Sequence, residues 1–265
     1  MQHLKTPLFF VGILCTLNFV APLLADTPAG LVERLRQTRA VNINEVLAAQ
    51  FSHPERARGF IVADPYAPRA RNVVESWQLN PASRLEVCAL RFTGERRQEY
   101  ELRGFKSPEA AAASGFTVTH QGRCGSCSTL KDLAVYLATT DLTTPARQCA
   151  RRFGISRKKQ CFAEVVGFTP YCAESWAYNA RQTKDQCLGT CVKDYGLLNL
   201  LFSRYPGANV NESGQLRPCL ECDEEKSGPG FKYSAGRTRR NSGIESAIPR
   251  PESDVYPLDH STYFH

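Results

Sequence analysis

His120-Gln121-Gly122-Arg123-Cys124-Gly125-Ser126-Cys127-Ser128 runs without a break into Thr129-Leu130-Lys131-Asp132-Leu133-Ala134-Val135-Tyr136-Leu137. Leu130, Leu133, Ala134 and Leu137 recur at i, i+3, i+4 and i+7, which predicts a helix with one apolar face. Ser126 or Ser128 can cap its start by accepting a backbone N–H. Cys127 then stands at or beside a helix N-terminus, where the dipole and free amides favour a thiolate. Upstream, Phe116-Thr117-Val118-Thr119-His120 reads as a strand. Strand, tight loop and helix start together can present a reactive group.

Working back from this stretch, Arg84–Phe92 and Gln98–Phe105 alternate in polarity and read as a hairpin turned at Thr93-Gly94-Glu95. Ser107 and Pro108 open a short helix that stops near Gly115. Leu31–Gln37 and Asn44–Phe51 have short helical patterns, and Pro54, Pro65, Pro68 and Pro81 interrupt the chain around them. At the start, Lys5, the apolar run Pro7–Val20 and Pro22-Leu23-Leu24-Ala25 read as a secretory signal peptide, too short for a membrane span.

Forward of the cysteine stretch the pattern is helical. Thr144-Pro145 opens a helix carrying Cys149, and Lys158–Val166 carries Cys161. Thr169-Pro170 opens a longer one with Cys172, Trp176, Ala180, Thr183, Cys187 and Cys191 along one stripe. Leu197–Phe202 is an apolar continuation expected in the core. Cys219–Lys226 reads as a short acidic segment, Ser227–Gly230 as a turn, and Arg237–Asn241 as a solvated basic loop.

The chain is thus expected to be α+β: a small antiparallel strand region, then a mainly helical, disulfide-stapled C-terminal half. The divisions are a signal peptide over 1–25, an N-terminal extension with short helices over 26–82, and a cysteine-rich globular domain over 83–265. Setting aside Cys15 in the apolar run leaves ten of the 11 cysteines. Cys88, Cys124, Cys149, Cys161, Cys172, Cys187, Cys191, Cys219 and Cys222 are disulfide candidates beside Cys127. An even count behind a signal peptide implies an oxidising compartment, periplasmic or extracellular. The net charge of +7 is spread over short clusters and forms no dense basic stripe, which argues against a nucleic-acid partner. No transmembrane segment is expected once the signal is removed. The two Cys-x-x-Cys pairs lie too far apart for a zinc finger, and neither a metal nor a cofactor is assigned.

Gln121, Gly122, Cys124, Gly125, Ser126 and Cys127 together resemble the active-site motif of papain-like cysteine proteases, Gln-Gly-x-Cys-Gly-Ser-Cys. The resemblance implies Cys127 as nucleophile, Gln121 as oxyanion donor and Cys124 in a structural disulfide. His260 would then be the base, at a separation usual for that family. Ser128 stands where the family has Trp, and no Asn-Ser-Trp-type motif follows His260. Three function classes remain open. The first is a thiol-dependent hydrolase or acyl-transfer enzyme on Cys127, with His120 or His260 as base. The second is a non-catalytic, disulfide-stabilised binding or structural protein. The third is a thiol–disulfide oxidoreductase using the Cys-x-x-Cys pairs. The substrate or protein partner is not named by the sequence.

Overall fold

Among the residues described by a computed structural model, 28–264, four strands form one sheet. The expected signal peptide lies outside the described residues, as does His265. The strands are β1 (Arg39–Ala40), β2 (Val87–Phe92), β3 (Glu99–Phe105) and β4 (Thr117–Gln121), in the order β1-β3-β2-β4. β2 pairs antiparallel with both β3 and β4, whereas the short β1 lies parallel to β3. The alternation in β2 divides its side chains between two layers. Cys88 and Leu90 join the main core with Tyr100 and Leu102, while Val87 and Ala89 pack on Ala111 and Phe116.

Eleven helices surround the sheet in the described chain: α1 (Pro28–Arg36), α2 (Ile43–Ala48), α3 (Pro68–Leu79), α4 (Pro108–Ala113), α5 (Leu130–Ala138), α6 (Thr143–Ala150), α7 (Ile155–Cys161), α8 (Pro170–Tyr195), α9 (Leu197–Leu201), α10 (Pro218–Lys226) and α11 (Gly228–Ala235). The expected strand region and helical C-terminal half are both present. Ser107 caps α4 through Ala110 N–H, and Thr169 caps α8 through Cys172 N–H. For α5 the cap is Thr129, whose hydroxyl accepts from Asp132 N–H, and not Ser126 or Ser128. Both serines are held by tertiary partners, which leaves Thr129 to start the helix.

Two helices stand where the sequence pattern predicts breaks. α3 begins at Pro68 and α11 carries Pro229 in its first turn. Proline at these positions starts a helix, because its missing N–H has no intrahelical partner there. The acidic segment 219–226 is likewise helical, as α10.

Residues 28–67 are built into the main core. Leu35, Ile43, Leu47, Phe60 and Val62 belong to it. The buried Glu174 of α8 accepts from Ile61 N–H (2.8 Å) and Val62 N–H (2.6 Å) and pairs with Lys159 at 2.7 Å. Tyr66 Oη donates to Ser227 O at 2.7 Å, and its ring lies where any Cβ on Gly230 would fall, 2.4 Å away.

All ten cysteines of the described chain are paired, as Cys88–Cys124, Cys127–Cys172, Cys149–Cys161, Cys187–Cys222 and Cys191–Cys219. The stripe on α8 explains two of these bonds. Cys187 and Cys191 are one turn apart and meet Cys222 and Cys219 on the facing turns of α10. The sheet, the loop after β4, α8 and α10 are therefore one covalent network.

Leu197–Phe202 departs from expectation. Leu198 is 67% and Phe202 66% exposed, so this apolar stretch is a surface rim and not core. Among the described residues, no helix is long and apolar enough to cross a membrane.

Candidate functional site

The Gly125-Ser126-Cys127-Ser128 turn crosses the end of α11 at backbone contact distance. Ser126 N–H donates to Ser234 O (2.9 Å) and Cys127 N–H to Ala235 O (2.8 Å). A Cβ on Gly125 would stand 2.4 Å from Ser234 O, so only glycine fits. Ser126, Ser175 and Ser234 form a buried hydroxyl chain, at 2.6 and 2.8 Å, joining the loop to α8 and α11.

The expected catalytic residues are all placed, and each is engaged in a bond that holds the fold together. Cys127 is 0% exposed and bonded to Cys172, so its sulfur carries no thiol in this form. A nucleophile must be a thiolate. Gln121 turns its side-chain amide to Arg84 O at 2.9 Å. His120 holds Ser128 Oγ on Nε2 (2.7 Å) and Gln121 O on Nδ1 (2.9 Å). His260 holds Ser242 O on Nε2 (2.7 Å) and Tyr263 Oη on Nδ1 (2.8 Å). Both imidazoles are buried with both nitrogens engaged, so they fasten segments together. The His120–Ser128 pair has the contacts of a catalytic dyad, but both residues are fully buried, out of reach of a substrate. Cys124 bonds Cys88. Neither Cys-x-x-Cys pair is bonded internally, whereas disulfide shuttling passes through that internal bond.

Both histidines are held below their usual pKa, chiefly by burial and then by the nearby Arg237 charge, His260 to about 4. A histidine whose folded pKa lies below its unfolded value must be neutral to stay buried. Its contribution is complete above about pH 6.5 and is lost as pH falls toward the folded pKa. His260 alone then accounts for about 3 kcal/mol between pH 6.5 and 4. Asp132 acts in the opposite sense. Burial raises it to about 6, so protonation below that pH relieves a cost. Asp223, also raised by burial, acts with Asp132, whereas Asp141 and Glu224, held below the usual carboxylate range, act with the two histidines. Urea midpoints should fall as pH drops from 6.5 to 4, and His260→Gln should flatten the fall. A midpoint constant over that range would contradict these assignments.

Arg237, expected in a solvated loop, is fully buried. Its guanidinium donates to Thr119 O (2.9 Å), Thr119 Oγ1 (2.6 Å), and Cys127 O, Ser128 O and Ser242 Oγ (3.2 Å each). No local pattern in sequence announces this, because every acceptor but Ser242 comes from more than a hundred residues away.

A second place in the fold is open. α5, α6, α7 and α8 enclose one side of a cavity of about 750 Å³, and α9, α10, α11 and residues 238–248 enclose the other. Such a volume suits a small-molecule ligand. Leu142, Phe162, Ala180, Leu188, Val192 and Phe231 give its wall an apolar character. α7 passes into a π-helical turn at Phe162–Val166, ended by Gly167 at φ +91°. That turn presents Phe162 to the cavity, and such turns often mark functional sites.

Six cations also line it: Arg147, Arg151, Arg152, Lys158, Lys184 and Arg239. Among the described residues none of the six pairs with a carboxylate. Lys158 is satisfied by the carbonyls of Ala150 and Arg152, and burial, with Lys184 nearby, lowers its pKa. Arg239 reaches Glu245 O at 2.6 Å and Thr139 O. The lining carboxyl, Asp223, accepts from Thr183 and is pushed up by burial.

Two polar atoms of the wall are buried without a hydrogen bond, Tyr136 Oη and Trp176 Nε1. In sequence Trp176 is marked only by its place on the α8 stripe, and Tyr136 by its place beside the apolar seam of α5.

A model described as a family of unknown function (DUF8771) matches residues 155–258. That span carries Cys161 to Cys222 and the α8–α11 wall of the cavity, and excludes the Cys124–Cys127 loop. No curated protein and no solved structure matches the chain.

Proposed function

We propose that this protein is secreted into an oxidising compartment and acts by binding a largely apolar small molecule in the helical cavity, with its cysteines serving only as staples. The cavity is the observation that carries the reading. It is large and apolar, and it keeps two polar atoms buried without hydrogen bonds, which packing alone would not favour. The five disulfides support the compartment and give the helices around the cavity a rigid frame. The exposed leucines of α9, of which Leu197 and Leu201 line the cavity, supply an apolar rim.

The test is titration of the unreduced protein with N-phenyl-1-naphthylamine, a neutral dye that brightens in apolar surroundings. A saturable rise with one site per chain is expected. Ala146→Trp, which fills the cavity from α6, should weaken it about tenfold or more. No saturable rise, or one indifferent to Ala146→Trp, would contradict the reading.

A further inference from the structure

The cavity's unmatched polar atoms are of one kind. Tyr136 is 2% exposed and its Oη has no hydrogen bond, and the buried Nε1 of the half-buried Trp176 on α8 has none either. The guanidinium carbon of Arg239 lies 5.7 Å from the Tyr136 ring centre, so all three share one end of the cavity. An indole N–H and a guanidinium can only donate, and a phenol carries one proton to give. The indole approaches the phenol. Even if it donated to that oxygen, the phenol's own O–H would lack an acceptor among the described residues. A buried donor left unmet costs about 1–3 kcal/mol. A ligand atom that only accepts would remove that cost.

Charge points the same way. The six lining cations face the single carboxyl Asp223, itself raised toward its neutral form by burial. Shape adds a third constraint. Trp176 and Tyr195 both line the cavity and stand nineteen residues apart on α8, about 28 Å at 1.5 Å per residue. Between them the wall includes Ala180, Leu188 and Val192, and beyond them the α9 leucines.

On the reading of this cavity as the ligand site, we propose that its ligand is a single-chain amphiphile with a carboxylate head. The head accepts hydrogen bonds from Tyr136 Oη and Trp176 Nε1 beside Arg239. The hydrocarbon chain follows α8 toward α9.

The experiment displaces N-phenyl-1-naphthylamine from the disulfide-intact protein with dodecanoate, dodecanol, dodecyltrimethylammonium or a diacyl phosphatidylcholine, each below its aggregation limit. Dodecanoate should bind at least tenfold tighter than dodecanol and displace the dye completely. Tyr136→Phe should weaken dodecanoate about tenfold and leave dodecanol unchanged. Its unfolding temperature should stay level or rise, because the hydroxyl removed has no partner. Arg239→Gln should shift dodecanoate in the same direction and guards against a Tyr136→Phe variant that misfolds. Equal affinity for acid and alcohol, a preference for the ammonium or the diacyl lipid, or a Tyr136→Phe loss shared by both dodecyl ligands would overturn the inference. Dye binding without dodecanoate binding would sink the carboxylate head alone. Absence of dye binding as well would sink the cavity reading.

Discussion

Replacing Cys127 and Cys172 together by alanine is expected to lower the unfolding free energy by up to about 4 kcal/mol, the loop-entropy value for a bond closing 45 residues. For a chain of this size that is a drop of roughly 8–16 °C in melting temperature. The bond joins the loop after β4 to the first turn of α8, and both sulfurs are fully buried. A nucleophile would behave otherwise, since its removal should abolish a reaction and leave stability nearly intact. The same exchange at Cys149 and Cys161 closes only 12 residues and should cost about 3 kcal/mol. Denaturant titrations of the two double variants, each with the other four bonds intact, check the order. An unchanged midpoint for the Cys127 and Cys172 variant would remove the staple role.

Arg237→Leu should destabilise by several kcal/mol, at about 1–3 kcal/mol for each buried acceptor left without its donor. The loss has an identifiable source. Thr119 O, Cys127 O and Ser128 O all accept from this guanidinium and would be left in the interior. Arg237→Lys should recover less than half of the loss. An ammonium has three donors without the planar fork, and it cannot reach both ends of a set spread over β4, the cysteine loop and Ser242. Chemical unfolding of the two variants measures this. A lysine variant as stable as the parent would show that charge alone matters at this site. Burial lowers the Arg237 pKa, yet its ordinary value is high enough that the group stays charged.

What could be read from the sequence was local. The strand pair at 87–105, the Ser107 and Thr169 caps, the apolar seam of α5 and the cysteine stripe of α8 all rest on spacings of two, three or four residues. Prolines 68 and 229 misled because one residue type both breaks a helix and begins one, and only the residues after it decide. Leu197–Phe202 misled because apolar composition is the same for a core segment and for the rim of a cavity. The candidate site was the least legible part. Gln121, His120 and Cys127 sit in a motif that suits catalysis, but their roles here are fixed by Arg84, Ser128 and Cys172, and only the fold brings Arg84 and Cys172 into reach. Tyr136 and Trp176 carry no motif at all, and their interest arises from what does not face them.

The Cys124–Cys127 turn is a covalent and hydrogen-bonded joint between β2, α8 and α11. Alkylation of the native, unreduced protein at neutral and mildly acidic pH, followed by peptide mapping, tests it most directly. No label is expected on any of the ten cysteines of the described chain, and a cross-linked peptide pair should join Cys127 to Cys172. Label on Cys127 at the lower pH, with Cys172 found free or bonded elsewhere, would contradict it and restore an activated thiolate at the start of α5.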